Sequence, residues 1–241
     1  MRLFHIVSIV SLFTILTTVS SVTAEEQYLE FLQGLRDKNY HDTALEYLDQ
    51  IAADKTTPKK VQELIPFERA MTLLMFSRTQ RLPEEQEATL DLALAQLASF
   101  TKQYPNHPMA GTANTERGKI ILEKAEVEGR KAQSPAEQNN KKAHQEAARK
   151  LVAQARDIFQ KAYNLHEKTW KSFPATFIDK QKEPEKYEAR AKAEIQFMSA
   201  QLDLAQCTYA EAQTYDPGSA DYNRLLKKAS EEYAKIHERY R

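Results

Sequence analysis

Apolar residues recur along most of the chain at steps of three, four and seven. Residues at these steps lie on one face of an α-helix, so each run predicts an amphipathic helix. Two such stripes stand near the start of the chain: Tyr28, Leu32 and Leu35, then Ala44, Leu48 and Ile51. Only a short polar run separates them, which predicts two antiparallel helices joined by a tight turn.

Start and stop signals divide the following segment into further helices. Thr57 and Pro58 combine a capping residue with a proline suited to the first helical position, and Pro66 predicts a kink or a restart. Pro83, followed by two glutamates, begins another helix, because carboxylates are favoured at a helix N-terminus. The Tyr104 to Pro108 segment ends that helix.

Ser134 and Glu137 have the spacing of a capping box, in which Ser134 accepts from the amide of Glu137 and Glu137 reaches back to the amide of Ser134. The polar stretch around them, residues 130–145, is the expected flexible point of the chain. We therefore divide the part after residue 24 into residues 25–130 and residues 131–241.

Two long stripes follow in the C-terminal part. The first comprises Ala147, Leu151, Ala155, Ile158, Ala162, Leu165 and then Trp170 or Phe173; the second comprises Tyr187, Ala191, Ile195, Met198, Leu202, Ala205, Tyr209 and Ala212. Steps of four and three average 3.5 residues, which predicts two long antiparallel helices with coiled-coil character. Phe197 and Leu204 lie off the second stripe and predict another apolar face.

The first residues of the chain have the order of a secretory signal. Met1 and Arg2 are a short positive start, Leu3 to Val19 is apolar, and Val22 to Ala24 is a run of small residues. This order predicts a signal peptide over residues 1–24, cleaved after Ala24, and an exported, periplasmic or otherwise extracytoplasmic protein. The alternative is an uncleaved membrane anchor, because the apolar run approaches the roughly 20 residues that span a bilayer.

The amino-acid composition restricts the fold class and the classes of possible partner. Glycine occurs only 5 times in 241 residues, while Ala, Leu, Glu, Lys and Gln are abundant, so the chain favours an all-α fold. Thirty-four basic residues balance 34 acidic ones. This balance argues against nucleic acid as a partner, and against a membrane surface unless residues 3–19 remain as an anchor. Cys207 is the sole cysteine and cannot form an internal disulfide.

A short pattern of one small and two larger packing residues occurs four times. The four instances are Ala44/Leu48/Ile51, Ala93/Leu97/Phe100, Ala155/Phe159/Ala162 and Ala229/Tyr233/Ile236. The small residue lets two helices approach closely, and the larger ones fill the space between hairpins. Pro105 stands twelve residues after Ala93, which resembles the position of the terminating proline in the tetratricopeptide repeat.

This pattern resembles the second-helix half of the tetratricopeptide repeat. The segment from Asn39 to Leu48 is similar to the turn and second-helix entry of that family. The resemblance implies an α-solenoid of about four antiparallel helical hairpins with degenerate, elongated repeats, because the alanines stand further apart than the usual repeat of about 34 residues. The alternative is a generic stack of amphipathic helices. By resemblance, exported bacterial members serve as envelope scaffolds, assembly factors or partner-binding modules.

Residues of the types that bind metals or take part in catalysis are scattered along the chain. The six histidines lack a carboxylate or a second histidine at the spacing of a helical metal site; they are His5, His41, His107, His144, His166 and His237. We expect capping or solvated roles for them, no metal and no cofactor. Cys207 has no activating histidine nearby and is expected to be a small buried hydrophobe. The basic run of residues 141–156 is expected to be a solvated helix face.

These observations favour a non-catalytic scaffold that presents a helical groove to a protein or peptide, with no small-molecule substrate. The alternative is a membrane-tethered structural spacer that keeps its N-terminal anchor. No residue is identified as a partner-binding hot spot. In the last helix the adjacent Leu225 and Leu226 widen the apolar face, which predicts self-association or binding through that helix.

Overall fold

The computed structural model describes residues 24–241, and the predicted signal peptide or anchor lies outside that range apart from Ala24. The described part is all-helical and contains no strand, so the predicted all-α class is confirmed. Its helices are α1 (Ala24–Asp37), α2 (His41–Ala53), α3 (Lys59–Ser77), α4 (Pro83–Gln103), α5 (Ala110–Gln133), α6 (Lys141–Lys171), α7 (Pro184–Ala212) and α8 (Ala220–Tyr240). None of these helices is long and apolar enough to cross a bilayer.

Helix boundaries follow most of the start and stop signals. α4 begins at Pro83 with Glu84 and Glu85 in its first turn, as predicted. α3 runs continuously through Pro66 instead of restarting there. The hydroxyl of Thr57 does not cap α3 but donates to the Ile51 carbonyl, which ties the loop back to α2.

The junction between α5 and α6 differs from the prediction. Ser134 makes no side-chain cap, and a short 3-10 helix over Pro135–Asn140 precedes α6. The Glu137 side chain turns instead toward Asn140 and His144. The capping-box prediction was wrong because the Ser134 amide already donates to the Lys131 carbonyl at 3.0 Å and is not available to Glu137. The predicted division after residue 130 falls inside α5.

Consecutive helices pack against each other in chain order, and the odd-numbered helices touch one another as well. Arg36 of α1 pairs with Glu68 of α3 at 2.7 Å, and Arg78 at the end of α3 pairs with Glu123 of α5. α5 and α7 are in direct contact. Within residues 24–241 no two even-numbered helices make a comparable contact. The odd-numbered helices are therefore set closer together than the even-numbered ones.

Three clusters of buried side chains form the core. One joins α1, α2 and the start of α3; the second joins α3, α4 and α5; the third joins α5, α6 and α7. Leu94 of α4 packs against both the second and the third cluster. α5 contributes to both of these clusters, so its burial connects the two parts of the described chain.

The stripe predicted for α7 is correct for Ala205 and Ala212, which are buried, and wrong for its larger members. Ile195, Leu202 and Tyr209 are 59%, 38% and 43% exposed, whereas Phe197, placed off the stripe, is 1% exposed. The buried side of α7 is set by the large aromatic Phe197, which contacts the rings of Tyr163 and Trp170 of α6. On α6, Val152 and Phe159 carry the packing and Leu165 is 59% exposed.

The four repeated triplets fall on the four even-numbered helices, α2, α4, α6 and α8. Their alanines, Ala44, Ala93, Ala155 and Ala229, are all buried, as close helix contacts require. Ala162 and Tyr233 are only half-buried, and the remaining larger residues are buried. The pattern thus marks one helix in each consecutive pair.

Candidate functional site

Three large apolar or aromatic side chains are exposed on the solvent side of α7. Ile195, Leu202 and Tyr209 stand seven residues apart and form an exposed row along that side. The opposite side of α7 packs on α6, where Cys207 meets the cluster of Phe159. We call the solvent side of α5 and α7, which includes this row, the odd-helix face.

A groove runs between α5 and α7 on the odd-helix face. It has a volume of about 310 Å³, and its lining includes Ala125, Glu126 and Gly129 of α5 with Tyr209 and Ala210 of α7. We call it the α5–α7 groove. Its floor is small and apolar, and Tyr209 forms one wall.

The two helices that form this groove run parallel. Lys119 of α5 acts electrostatically on Asp203 of α7, and two turns further along both helices Glu126 and Ala210 line the same groove. The two helices therefore keep one register over these two turns.

Two carboxylates beside the groove are left without close partners. The Glu126 and Asp203 carboxylates form no hydrogen bond and no ion pair within residues 24–241, although Lys119 and Arg130 act on them from a distance. Desolvation raises the pKa of Glu126, with Glu123 adding repulsion, and desolvation also raises the pKa of Asp203. The Glu126 side chain is nevertheless exposed and that of Asp203 half-buried, so both carboxylates keep contact with water.

The cationic side chains near the α5–α7 groove already have hydrogen-bond partners within the chain. Lys119 donates to Glu116 at 2.8 Å, Arg78 is paired with Glu123, and Arg130 donates to the side-chain carbonyl of Gln86 on α4. The groove thus combines an apolar floor with one carboxylate, Glu126, and one guanidinium, Arg130, both of which belong to its lining.

Gly129 leaves the backbone of α5 bare at the floor of the groove. It lies in the helix interior with no positive φ, and a Cβ built on it would meet no atom within 4 Å. Gly118 of the same helix differs, because a Cβ there would lie 2.7 Å from the ring of Phe159. A packing neighbour therefore explains Gly118 and does not explain Gly129.

The histidines occupy more varied places than expected. His107 accepts from the Met109 amide at 3.1 Å, which is a capping role. His41 is 4% exposed, has neither ring nitrogen hydrogen-bonded, and lies against Phe76. Burial lowers the pKa of His41, so it is held neutral. The expectation of solvated or capping roles was therefore wrong for His41.

His144 lies between two carboxylates at the junction of α5 and α6. Its Nδ1 is 2.7 Å from Glu128 and its Nε2 is 3.4 Å from Glu137. Hydrogen bonding to these two groups raises the pKa of His144. Lys131 donates to Glu128 and also to Glu87 of α4, which extends the network to a third helix. No group of His, Cys, Asp and Glu side chains in residues 24–241 is arranged to hold a metal.

The basic run of residues 141–156 is largely engaged within the chain. Lys141 pairs with Asp216, Lys150 with Glu146 and Arg156 with Glu211. Arg149 donates to the Thr214 carbonyl and lies over the ring of Tyr215. The contacts of Lys141, Arg149 and Arg156 join α6 to the C-terminal end of α7 and the turn after it, whereas the Lys150–Glu146 pair lies within α6.

Cys207 is fully buried between α6 and α7 in the cluster of Phe159. Burial raises the pKa of its thiol to about 12. A thiol in that state is protonated at neutral pH and is a poor nucleophile.

The sequence analysis identified no binding residue, and the structure shows why. Ile195, Leu202 and Tyr209 were assigned to a helix seam, because they fit a step of seven as well as Phe197 and Leu204 do. The competing stripe carried the larger aromatic, and its burial left the first stripe exposed. Comparison of this chain with models of protein families, with curated proteins and with solved structures found no match.

Proposed function

We propose that this chain is a non-catalytic interaction scaffold that acts outside the cytoplasm and holds a protein partner on its odd-helix face. The observation that carries this proposal is the exposed row of Ile195, Leu202 and Tyr209 beside a preformed groove. Exposed apolar side chains that share one side of a helix are typical of interaction sites.

The arrangement of the helices supports a tetratricopeptide-like α-solenoid of four hairpins. The repeated triplets fall on every second helix, and their buried alanines allow close packing. The odd-numbered helices touch each other while the even-numbered ones stand apart, which is the asymmetry expected when a stack curves toward the odd-numbered side. A concave side of this kind offers an extended binding surface.

Two matched substitutions test the scaffold proposal. Leu202 on the odd-helix face and Leu92 on α4 are both exposed leucines, at 38% and 57%. We expect the wild-type chain and Leu92→Glu to capture the same protein from an envelope extract, and Leu202→Glu to lose it. Capture that is equal for both variants would place the partner elsewhere, and the proposal would fail.

Export is proposed on the signal-like order of residues 1–24. The competing proposal is a membrane-tethered spacer. The length of α6 favours it, because 31 residues extend about 46 Å at 1.5 Å per residue. Mass spectrometry of the protein from its native cell separates the two. A chain beginning at Glu25 supports export with cleavage, and a chain that retains residues 3–19 supports the anchored spacer.

A further inference from the structure

We infer that protonation of His41 releases the first hairpin, formed by α1 and α2, from α3 while α3 to α8 stay folded. The inference concerns regulation by acid and goes beyond the proposed scaffold function. Three features carry it: the burial of an imidazole without hydrogen-bond partners, the positive charge around that imidazole, and the limited attachment of the hairpin to the rest of the chain.

The His41 ring is buried where the start of α2 meets the end of α3. The residue is 4% exposed, and its ring centroid lies 6.0 Å from that of Phe76. Within residues 24–241 neither of its ring nitrogens has a hydrogen-bond partner. A neutral imidazole tolerates such a place, whereas an imidazolium there would lose its hydration without receiving an acceptor in return. A protonated His41 is therefore stable only where its ring reaches water.

The groups around His41 give a positive charge little compensation. Burial has the largest effect and lowers the pKa of His41, Asp42 of α2 raises it, and Arg36 of α1 lowers it further. From α3 the ring meets the apolar Phe76, and Glu68 of α3 is already paired with Arg36 at 2.7 Å. His41 is also the first residue of α2, where the positive end of the helix dipole disfavours another cation.

The first hairpin is attached to the rest of the chain mainly through α3. Within residues 24–241, α1 and α2 make extensive contacts only with each other and with α3. Their polar ties to α3 include the bonds of Arg36 to Glu68 and Thr72 and the pair of Asp49 with Arg69. A charge on His41 would repel Arg36, the residue that makes the buried ties. Protonation therefore acts on the attachment of the hairpin itself.

The remainder of the chain keeps its own core when the hairpin leaves. All buried members of the second cluster lie on α3, α4 and α5, and the third cluster joins α5, α6 and α7. From the hairpin, the half-buried Leu45 packs against the second cluster. Release would expose side chains of the first cluster, among them Leu48 of α2 and Val61 of α3. At neutral pH the uncharged ring keeps the hairpin part of the folded unit.

Proton linkage gives the direction and the limit of the effect. The released hairpin carries an ordinary histidine pKa of about 6.5 and the packed hairpin a lower one, so release takes up a proton. The equilibrium constant for release therefore rises as pH falls. For one proton the rise between about pH 7 and about pH 5 is at most about 25-fold.

Hydrogen exchange of the full chain, followed by mass spectrometry, tests the inference. Exchange times are scaled for the intrinsic pH dependence of amide exchange. We expect the amides of α2 to be at least about fivefold less protected at about pH 5 than at about pH 7, and those of α4 and α5 to be no less protected. The inference is overturned if α2 keeps its protection in acid, or if all helices lose protection by the same factor.

Substitutions assign the effect to His41. His41→Met and His41→Gln, one apolar and one polar, cannot take up the proton, and we expect both to remove the pH dependence of protection in α2. His144→Gln is the matched control and should respond to acid in α2 as the wild type does. Thermal melts at neutral pH check that each variant is folded, and either folded His41 variant suffices. An acid response of α2 that persists in a folded His41 variant overturns the inference.

Asp42→Asn supplies a test that leaves the ring of His41 in place. Because Asp42 favours the protonated ring, its removal should shift the loss of protection in α2 to lower pH. The wild type and Asp42→Asn are compared by hydrogen exchange across the same range of pH. No shift, or a shift to higher pH, would contradict release of the hairpin by protonation of His41.

Discussion

Gly118 and Phe159 set the distance between α5 and α6. A Cβ on Gly118 would lie 2.7 Å from two ring atoms of Phe159, and that ring is fully buried and has no room to retreat. We expect Gly118→Ala to destabilise the protein by about 1–3 kcal/mol through overpacking, despite its better helix propensity. Urea denaturation followed by circular dichroism measures the change in the free energy of unfolding.

Gly34→Ala is the control for this substitution. Gly34 is also helical, but a Cβ there meets nothing within 4 Å. We expect Gly34→Ala to be neutral or to stabilise by up to about 1 kcal/mol. If both variants shift the unfolding free energy by the same amount, the close contact between Gly118 and Phe159 does not exist.

Phe159 itself should contribute strongly to stability. It is 0% exposed and packs with residues of α5, α6 and α7. We expect Phe159→Ala to reduce the free energy of unfolding by about 3 kcal/mol or more, through lost burial and a cavity. In the Phe159→Ala background, Gly118→Ala should lose its cost, because neighbouring sites are not additive. Additive effects would contradict the contact.

His41 and His144 should respond to pH in opposite directions. The folded pKa of His41 is lowered by burial, with Asp42 raising it and Arg36 lowering it further, so the unfolded chain binds the proton more readily. The free energy of unfolding therefore decreases as pH falls below about 6.5, the pKa of an unfolded histidine. We expect the His41→Met substitution to remove this loss of stability at low pH. Thermal melts between about pH 5 and pH 7 measure it.

The folded pKa of His144 is raised by Glu128 and Glu137, and Lys131 and Glu87 complete the surrounding charges. Its contribution to stability is complete below the unfolded pKa of about 6.5 and is lost as pH rises through the folded pKa. We expect His144→Gln to lose stability near about pH 6 and to approach the wild type near about pH 8. A pH-independent difference between the two proteins would show that His144 is not protonated between these carboxylates.

At the scale of helices, the end of α8 is held by an arginine that lies over three aromatic rings and by the Tyr240 hydroxyl, which accepts from Gln201 of α7 at 3.0 Å. The Arg239 guanidinium lies 4.8 Å from the ring of Trp170, 5.2 Å from that of Phe197 and 5.5 Å from that of Tyr240. The contacts with Trp170 and Phe197 hold the end of α8 against the end of α6 and the middle of α7. Self-association through α8 remains a prediction, and Leu226, on which it rested, is half-buried.

We expect Arg239→Ala to cost about 0.5–1 kcal/mol and to loosen the last turns of α8, which hydrogen exchange measures as faster amide exchange there. Arg224→Ala is the control, because Arg224 pairs only with Asp221 in the first turn of the same helix. Equal exchange in the two variants would mean that the rings do not hold Arg239.

The sequence predicted the buried face of a helix well where that helix has few neighbouring helices and poorly where it has several. α2 and α4 bury one face, and their stripes Ala44/Leu48/Ile51 and Ala93/Leu97/Phe100 predicted that face correctly. α5 has no clean stripe because it is buried on several sides, and its glycines lower its helix propensity. For α7 two stripes fitted equally well, and only contact with Trp170 and Tyr163 decided between them. Tyr209 of the exposed stripe lines the α5–α7 groove. The groove could therefore not be predicted from residue spacing, because spacing did not decide which stripe is buried.

The whole described chain should unfold as one unit, although the sequence suggested a division after residue 130. The third cluster joins Ile121 and Ala125 of α5 to Cys207 of α7, and Leu94 connects it to the second cluster. We expect the buried Cys207 thiol to react with a disulfide reagent only after global unfolding. Leu97→Ala, placed in the second cluster alone, should therefore speed labelling of Cys207.

A labelling rate that is unchanged by Leu97→Ala would show that the two parts open independently. Phe159→Ala, in the same cluster as Cys207, is the positive control and should accelerate labelling in either case.

The most direct test of the account is site-specific photo-crosslinking in the native cell, with a photoreactive residue at Leu202 or at Leu92. Both positions are exposed, and they differ in the helix layer to which they belong. The account predicts a discrete crosslinked protein from position 202 and none from position 92. Crosslinks from position 92 alone, or the same products from both positions, would contradict a partner surface on the odd-helix face.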